Sequence, residues 1–586
     1  MRSTDALAAR APAQAESRRA RAWARWLPAI GAGAVLAYLV VVPLFLMAVS
    51  SLRPGGFPLD QGSTLANYGA IYGAAGFPRL VGTTIAFALG STAVALVLGI
   101  ALAWLIERTD LPLRGTIRAL VVLPMATPPI LLAIGWAMLL SPRTGFFNLL
   151  LRDLFGLSQS PFNVFSLGGM IFVEGLSLVP TTFLFLSPAF RNMDPSLEEA
   201  AVTSGAGLVM MLRRVLLPLL WPSILAAGAF LLIVCLVVFD IPGTLGMPAR
   251  IFVLSTQIYY LAVDSPTGVP LYGQVSALAA FFLAALAALG WAYHRLTRQA
   301  QRFRTITGKG FRPRLLRLGR WRWAAFAGVS LYFLLAVVAP LAILAWTSLM
   351  PYQTRVTWAA LDLVTLDNHL DFFANRRVLE AAGHSLAIAV VSATVVALLS
   401  VALAWLVVRA RIPGARLLDG LAFAPVAMPG VMLGVALVYV YLTLDFGFAV
   451  YGTIWIIAIA YVTHYLSFGT RLANGVMVQL HPELEEAGAA SGASTLLVLR
   501  RITVPLIWPA VVAIWIWVVA HALRELSTAL MLQGRGNVVI PTLLWDYWSG
   551  GEPNRAAAVG VWLVVALVIF LSLWQGFARS RLERSS

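Results

Sequence analysis

Cysteine is almost missing from this chain of 586 residues, and Cys235 is the only one. No disulfide framework and no cysteine-based metal site can form within it. Charge is scarce too, at 11% of residues, and acid is scarcer than base, with 25 Asp+Glu against 42 Lys+Arg. So little charge over such a length excludes an ordinary soluble protein. The net charge of +17 would suit nucleic acid, but the arginines gather at the ends of apolar runs and no nucleic-acid motif accompanies them. A phosphate-binding GxxxxGK[ST] loop is also missing, since TGKG at 307–310 lacks the upstream glycine. The histidines show no ligand spacing, which leaves any metal site unassigned.

What the chain does have is apolar sequence, with 60% hydrophobic residues. Runs near 27–50, 80–106, 117–140, 166–189, 224–240 and 271–293 predict six transmembrane helices. Runs near 324–349, 383–408, 417–443, 452–470, 510–532 and 556–578 predict six more. The fold class is therefore an all-α polytopic membrane protein. The N-terminal MRSTDALAARAPAQAESRRARAWARW carries six arginines against two acids, ahead of a run too long for a cleaved signal core. The segment HRLTRQAQRFRTITGKGFRPRLLRLGRWRW between the sixth and seventh runs holds ten Lys/Arg and no acid, and the C-terminal ARSRLERSS is basic. All three are expected on the cytoplasmic side, which requires an even number of spans.

The chain also repeats itself. LEEAAVTSGAGLVMMLRRVLLPLLWPSI at 197–224 and LEEAGAASGASTLLVLRRITVPLIWPAV at 484–511 share 14 of 28 positions at an offset of 287. LANY at 65–68 answers LDNH at 366–369, and ALAW at 101–104 answers ALAW at 402–405. Pro112, Pro124 and Pro128 answer Pro413, Pro425 and Pro429, all at an offset of 301. A 14-residue length difference thus accumulates before the polar segments. The organisation read from this is a basic N-terminus (1–25), a first half (26–297) with a polar loop at 192–222, and a basic linker (298–323). A second half (324–580) with a polar loop at 479–509 and a tail (581–586) complete it. Six-span halves in tandem are parallel repeats, with a pathway expected between them.

Each polar loop reads as two short helices joined by a turn. Pro195 or Ser196 can open the first helix, with Glu198 and Glu199 in its first turn, where the helix dipole favours acids. Gly205 permits a sharp left-handed turn. Pro218 is expected to mark a break, with Trp221 and Pro222 at an interface before the fifth span. The second copy offers Pro482, Glu485, Glu486, Gly492, Pro505, Trp508 and Pro509. Amphipathicity alone would suit a helix that merely lies at the bilayer surface.

The spacing is more specific. Both segments resemble the loop of permease subunits of binding-protein-dependent ABC importers, Glu-Ala-Ala, three residues, Gly, nine residues, then aliphatic-x-Leu-Pro. Glu199, Ala200, Ala201, Gly205 and Pro218 match that pattern, as do Glu486, Ala487, Gly492 and Pro505. Gly488 replaces the second alanine and Val504 the leucine. The resemblance implies that each loop is a coupling helix seated in one of two copies of a cytoplasmic ABC ATPase, with ATP and magnesium on that partner. No cofactor is expected on this chain, which would be a non-catalytic subunit. It further implies an extracytoplasmic solute-binding protein, a bacterial inner-membrane location and surrounding lipid. A fused pair of halves, together with RELSTALML at 524–532, is similar to the ferric-iron permease group, while thiamine and 2-aminoethylphosphonate permeases share the layout.

Ionisable residues inside spans are candidates for the translocation pathway, because burying them in hydrocarbon is costly. Glu174, Asp240 at the end of the fifth span, His464, His521, Arg524 and Glu525 are those residues. His521 is expected to share a helix face with Arg524 and Glu525, three and four residues on. Satisfied interhelical salt bridges are the plainer reading of the same groups. A secondary transporter would also have twelve spans in two parallel halves, but IERTDLPLRGT lacks that group's basic loop motif and leaves the duplicated loops unexplained. A membrane enzyme would need a catalytic cluster, and the loop at 241–270 offers only Asp264.

Overall fold

The computed structural model describes residues 27–205, 207–263, 265, 268–300, 315–410, 412, 414–444 and 449–585. The arginine-rich N-terminus, the centre of the basic linker, Pro413 and Asp264 lie outside the described residues. Among the described residues the protein is all-helical, and its one β-bridge joins Thr109 to Leu316. The first half contains α1 (Leu27–Ser51), α2 (Phe77–Arg108), α3 (Pro129–Leu140), α4 (Leu167–Arg191), α5 (Leu212–Val237) and α6 (Tyr272–Ala300). The second contains α7 (Trp321–Ser348), α8 (Arg376–Val408), α9 (Gly430–Thr443), α10 (Ile454–Gln479), α11 (Thr495–Ala522) and α12 (Pro553–Ser585).

Nine of these helices are long and apolar enough to cross a membrane. The third and ninth expected spans are each broken by proline. Arg114–Ala126 meets Pro129–Leu140 at 93°, and Ala415–Ala427 meets Gly430–Thr443 at 113°. A proline forces its predecessor out of the helical region, so Pro128-Pro129 and Pro429 bend chain that the hydrophobic run alone suggested was straight. The tenth expected span, α10, runs ten residues or so beyond its apolar stretch and is not among the nine. It is packed between α8 and α11, so it needs less apolar surface than a lipid-facing helix.

The fifth span begins well before residue 224. Leu212–Leu216 forms a widened π turn that leads directly into the helix carrying Pro218 and Pro222, so Pro218 is not a break and Trp221 lies within the span. The same device recurs at Ala37–Val41 before Pro43, Leu334–Val338 before Pro340 and Leu499–Thr503 before Pro505. A proline lacks the N–H that would close the preceding turn, and the wider turn absorbs that loss without ending the helix.

Helices α2 and α4 pack along most of their length, as do α8 and α10. Gly99 makes the first approach possible, since a Cβ there would collide with Thr182. At the equivalent crossing the roles are exchanged, with Ser400 on α8 and Gly469 on α10. A small residue opposite a small polar one is how helices approach closely in lipid. The halves also interlock, with α1 against α9 and α7 against α3, where Gly135 faces Pro340. The 14 extra residues of the first half fall between α3 and α4, where the helix Phe146–Phe155 is held by Asn148, which donates to the carbonyls of Leu140, Ser141 and Phe162.

Candidate functional site

The first polar loop folds as Pro195–Thr203, a turn at Gly205 and a short helix Leu208–Met211 leading into α5. The second folds as Glu483–Ala490, a turn at Gly492 and the short helix Thr495–Val498 that forms the first turn of α11. Gly205 and Gly492 have φ of +79° and +84°, the left-handed region where any Cβ is strained. Ser494 caps the second short helix, accepting from the Leu497 N–H at 3.4 Å.

Each loop is fastened to the helix end of its own half by an arginine. Arg108 donates through Nε to Glu198 Oε1 at 2.9 Å, with Nη2 2.6 Å from the same oxygen, and its Nη1 reaches the Met193 carbonyl at 3.4 Å. In the second half Arg409 Nε lies 3.7 Å from Glu485 Oε1, and Nη2 donates to the carbonyls of Leu480 (2.5 Å) and Met477 (3.1 Å). Arg409 follows Arg108 by 301 residues, whereas Glu485 and Leu480 follow Glu198 and Met193 by 287. The pair is therefore a property of the repeat. Thr503 adds a hydrogen bond to Glu485 at 2.8 Å. Burial raises the Glu198 carboxyl from its ordinary value, and the Arg108 guanidinium opposes that rise.

With Glu485 turned inward, Glu486 is exposed beside exposed Ala487. Ala200 is likewise exposed, Ala201 is half-buried, and the side chain of Glu199 lies outside the described residues. Pro218 and Pro505 are exposed at the feet of α5 and α11. Gly488 has a local cause, since a Cβ there would stand 2.8 Å from Ile502 Cδ1 and 3.2 Å from Val498 Cγ2. The first copy carries the smaller Val215 where the second has Ile502, and Ala201 where the second has Gly488.

Both loops lie at one end of the molecule. Leu316 donates to the Arg108 carbonyl at 2.8 Å, which puts the start of α7 beside the end of α2. At the far end of α7 Asn368 donates to the Ser348 carbonyl, and α8 then runs back to Arg409. The opposite end holds a cavity of about 660 Å³ lined from both halves, by Ser141 and Thr144 and by Gln353, Asn368, Glu552 and Asn554.

The candidate pathway residues do not form the single helical patch expected. Helix α11 ends at Ala522, and Arg524 and Glu525 occupy the break before Ser527–Leu532, so His521 does not share a helix face with them. Arg524 donates to the Met125 carbonyl in the bent third segment of the other half. Glu525 accepts from Ser527 Oγ (2.7 Å), Thr528 Oγ1 (3.0 Å) and the Thr528 N–H (3.2 Å), so its partners are local. His521 hydrogen-bonds the Trp517 carbonyl at 2.8 Å and stacks on Trp517 at 3.7 Å. His464 lies edge-on to Tyr465, 5.0 Å between centroids. Glu174 is buried in α4, whereas Asp240 lies just past the end of α5, and each leaves a carboxyl oxygen without a hydrogen-bond partner among the described residues. No group of three or more His, Cys, Asp or Glu among the described residues is placed to hold a metal ion.

The pair Arg108–Glu198 and its copy were missed in the sequence. A signal exists, because an arginine stands four residues after the tryptophan of each ALAW.

Fold and loops together define a two-half polytopic helical membrane protein with a repeated, outward-turned loop. Residues 397–584 match the family described as binding-protein-dependent transport system inner membrane component. Over most of its length the chain resembles the fused permeases of such importers. It is 25% identical over 457 residues to the ferric transport system permease protein FbpB of Actinobacillus pleuropneumoniae, covering 77% of this chain and 64% of that protein. It thus spans less than two thirds of that relative's length. A probable ABC transporter permease protein of Sinorhizobium fredii, y4fN, is 24% identical over 92% of this chain and 94% of its own. Putrescine transport system permease protein PotI of Escherichia coli is 29% identical over 35% of this chain and 75% of its own. A chain of a bacterial importer of the polysaccharide alginate aligns with 49% of this chain at 21% identity, covering 99% of its own length with a TM-score of 0.39.

Proposed function

We propose that this chain is the membrane permease of a binding-protein-dependent ABC importer, with both coupling loops on the cytoplasmic side. The observation that carries this reading is the repeat of the loop, with its turn glycine and inward arginine–glutamate pair, at one end of the molecule, with Glu486 exposed in the second copy. A loop needed only to join two helices has no reason to be built twice in such detail. Two copies suit two ATPase subunits that close on each other, each moving the half it grips. Glu199 and Glu486 are the acids offered to those subunits, and ATP with magnesium is bound there. The cavity at the other end faces the solute-binding protein. Termini and linker are cytoplasmic, in a bacterial inner membrane.

The substrate favoured is ferric iron, supported by the ferric permease relatives and by the 524–532 segment. A relative named for putrescine keeps other small solutes, thiamine and 2-aminoethylphosphonate among them, as the second reading. The test is uptake of labelled ferric iron into proteoliposomes holding this chain with its partner ATPase and solute-binding protein. The reading requires uptake that stops when ATP, the ATPase or the binding protein is withheld. Uptake by the chain alone under an ion gradient would contradict it.

A further inference from the structure

The end of α2 carries more than the Arg108–Glu198 pair. Its neighbour Glu107 is buried and accepts from Ser187 Oγ (2.6 Å) and Arg118 Nη2 (2.6 Å), with Arg191 at 3.4 Å. Those partners tie α2 to the end of α4 and to the arm Arg114–Leu120. The linker is stitched on as well, through Leu316 to Arg108 and Asp110 and through Leu318 N to Asp110 Oδ1 at 2.8 Å. In the second half residue 408, equivalent to Glu107, is valine. The acid sits on the arm instead, where Asp419 takes Asn474 (3.0 Å) and Arg471 (3.2 Å), both on α10. The side chains of Arg108 and Glu198 are 0% and 5% exposed, against 11% and 18% for Arg409 and Glu485.

Resting on the importer reading, we propose that Arg108 and Arg409 are positioning residues that carry loop displacement into α2 and α8, and that the two halves are coupled unequally. The first loop moves as one body with α2 and α4. The second swivels, because its arginine–glutamate contact is longer and wetter and α8 carries Val408 where α2 has the acid Glu107. Displacement of a docked subunit then enters the first half through two routes, α5 and the arginine link, and the second chiefly through α11. A buried, hydrogen-bonded ion pair holds direction as well as distance, whereas a 3.7 Å contact in partial solvent holds neither firmly.

The test uses the complete importer. Arg108→Ala is expected to leave ATPase docking intact and to lower solute moved per ATP about tenfold, within the usual span of coupling between sites. Arg409→Ala is expected to lower it only about threefold, as for a partly exposed pair. Arg108→Lys should recover much of the loss. A second measurement needs neither arginine changed. Spin labels at exposed Met210 and Leu113 should keep their distance when nucleotide is added, while labels at exposed Leu497 and Leu417 should not. Equal effects of the two alanine variants, or equal distance changes in both halves, would overturn the proposal. Failure of the unaltered chain to bind an ATPase would overturn the importer reading instead.

Discussion

Arg108 and Glu198 stand 90 residues apart in sequence and 2.6 Å apart in space, and their repeat partners Arg409 and Glu485 form a looser ion pair at 3.7 Å. In both halves the first glutamate of a Glu-Glu pair is used to hold the loop. In the second half Glu486 is left exposed for whatever docks outside. The division of labour follows from helix geometry, since adjacent residues point about 100° apart and only one can face the protein.

Removing the inner acid should therefore cost folding stability unequally. Glu198→Ala leaves Arg108 buried without its carboxylate, a loss of about 3 kcal/mol. Glu485→Ala leaves a guanidinium that still has two carbonyls and some water, a loss of about 1 kcal/mol. Thermal unfolding of the purified variants in one detergent would check the order; the reverse order would mean that burial does not set the value of the pair.

Gly488 and Ile502 should behave as a coupled pair. Gly488→Ala alone presses a methyl group against Ile502 Cδ1 and Val498, costing about 1 kcal/mol. Ile502→Val removes the Cδ1 and recreates the Ala201–Val215 combination of the first half, so the double variant should recover most of that cost. Additive losses in a double-mutant cycle would contradict the contact.

Arg524 joins the halves through the Met125 carbonyl. Arg524→Met keeps the bulk and loses the donor, so ATP-driven uptake should fall about tenfold while ATPase docking, at the other end of α11, persists. Loss of docking and uptake together would show a general folding defect instead.

Much of this architecture can be read from the sequence, because bilayer thickness and the positive-inside rule leave few arrangements for so apolar a chain. The repeat offsets of 301 and 287 located the paired loops, and Gly205 and Gly492 marked their turns. Proline was harder to interpret. Pro128-Pro129 and Pro429 bend the chain sharply, while Pro218 and Pro505 sit in continuous helices behind a widened turn. Whether a proline breaks a helix depends on whether the preceding turn can relax, which composition does not reveal. Likewise the run at 510–532 hid a break at Arg524–Glu525, since apolar residues on both sides mask a non-helical stretch. The arginine–glutamate links were obscured for another reason: their partners are 90 and 76 residues apart, beyond any helical spacing rule.

The most direct test concerns the second acid of each Glu-Glu pair. In the reconstituted importer, Glu199→Arg combined with Glu486→Arg should abolish ATPase binding and ATP-driven uptake while the permease itself remains folded. Undiminished ATPase binding and uptake by that double variant would contradict the assignment of the two loops as the docking surface.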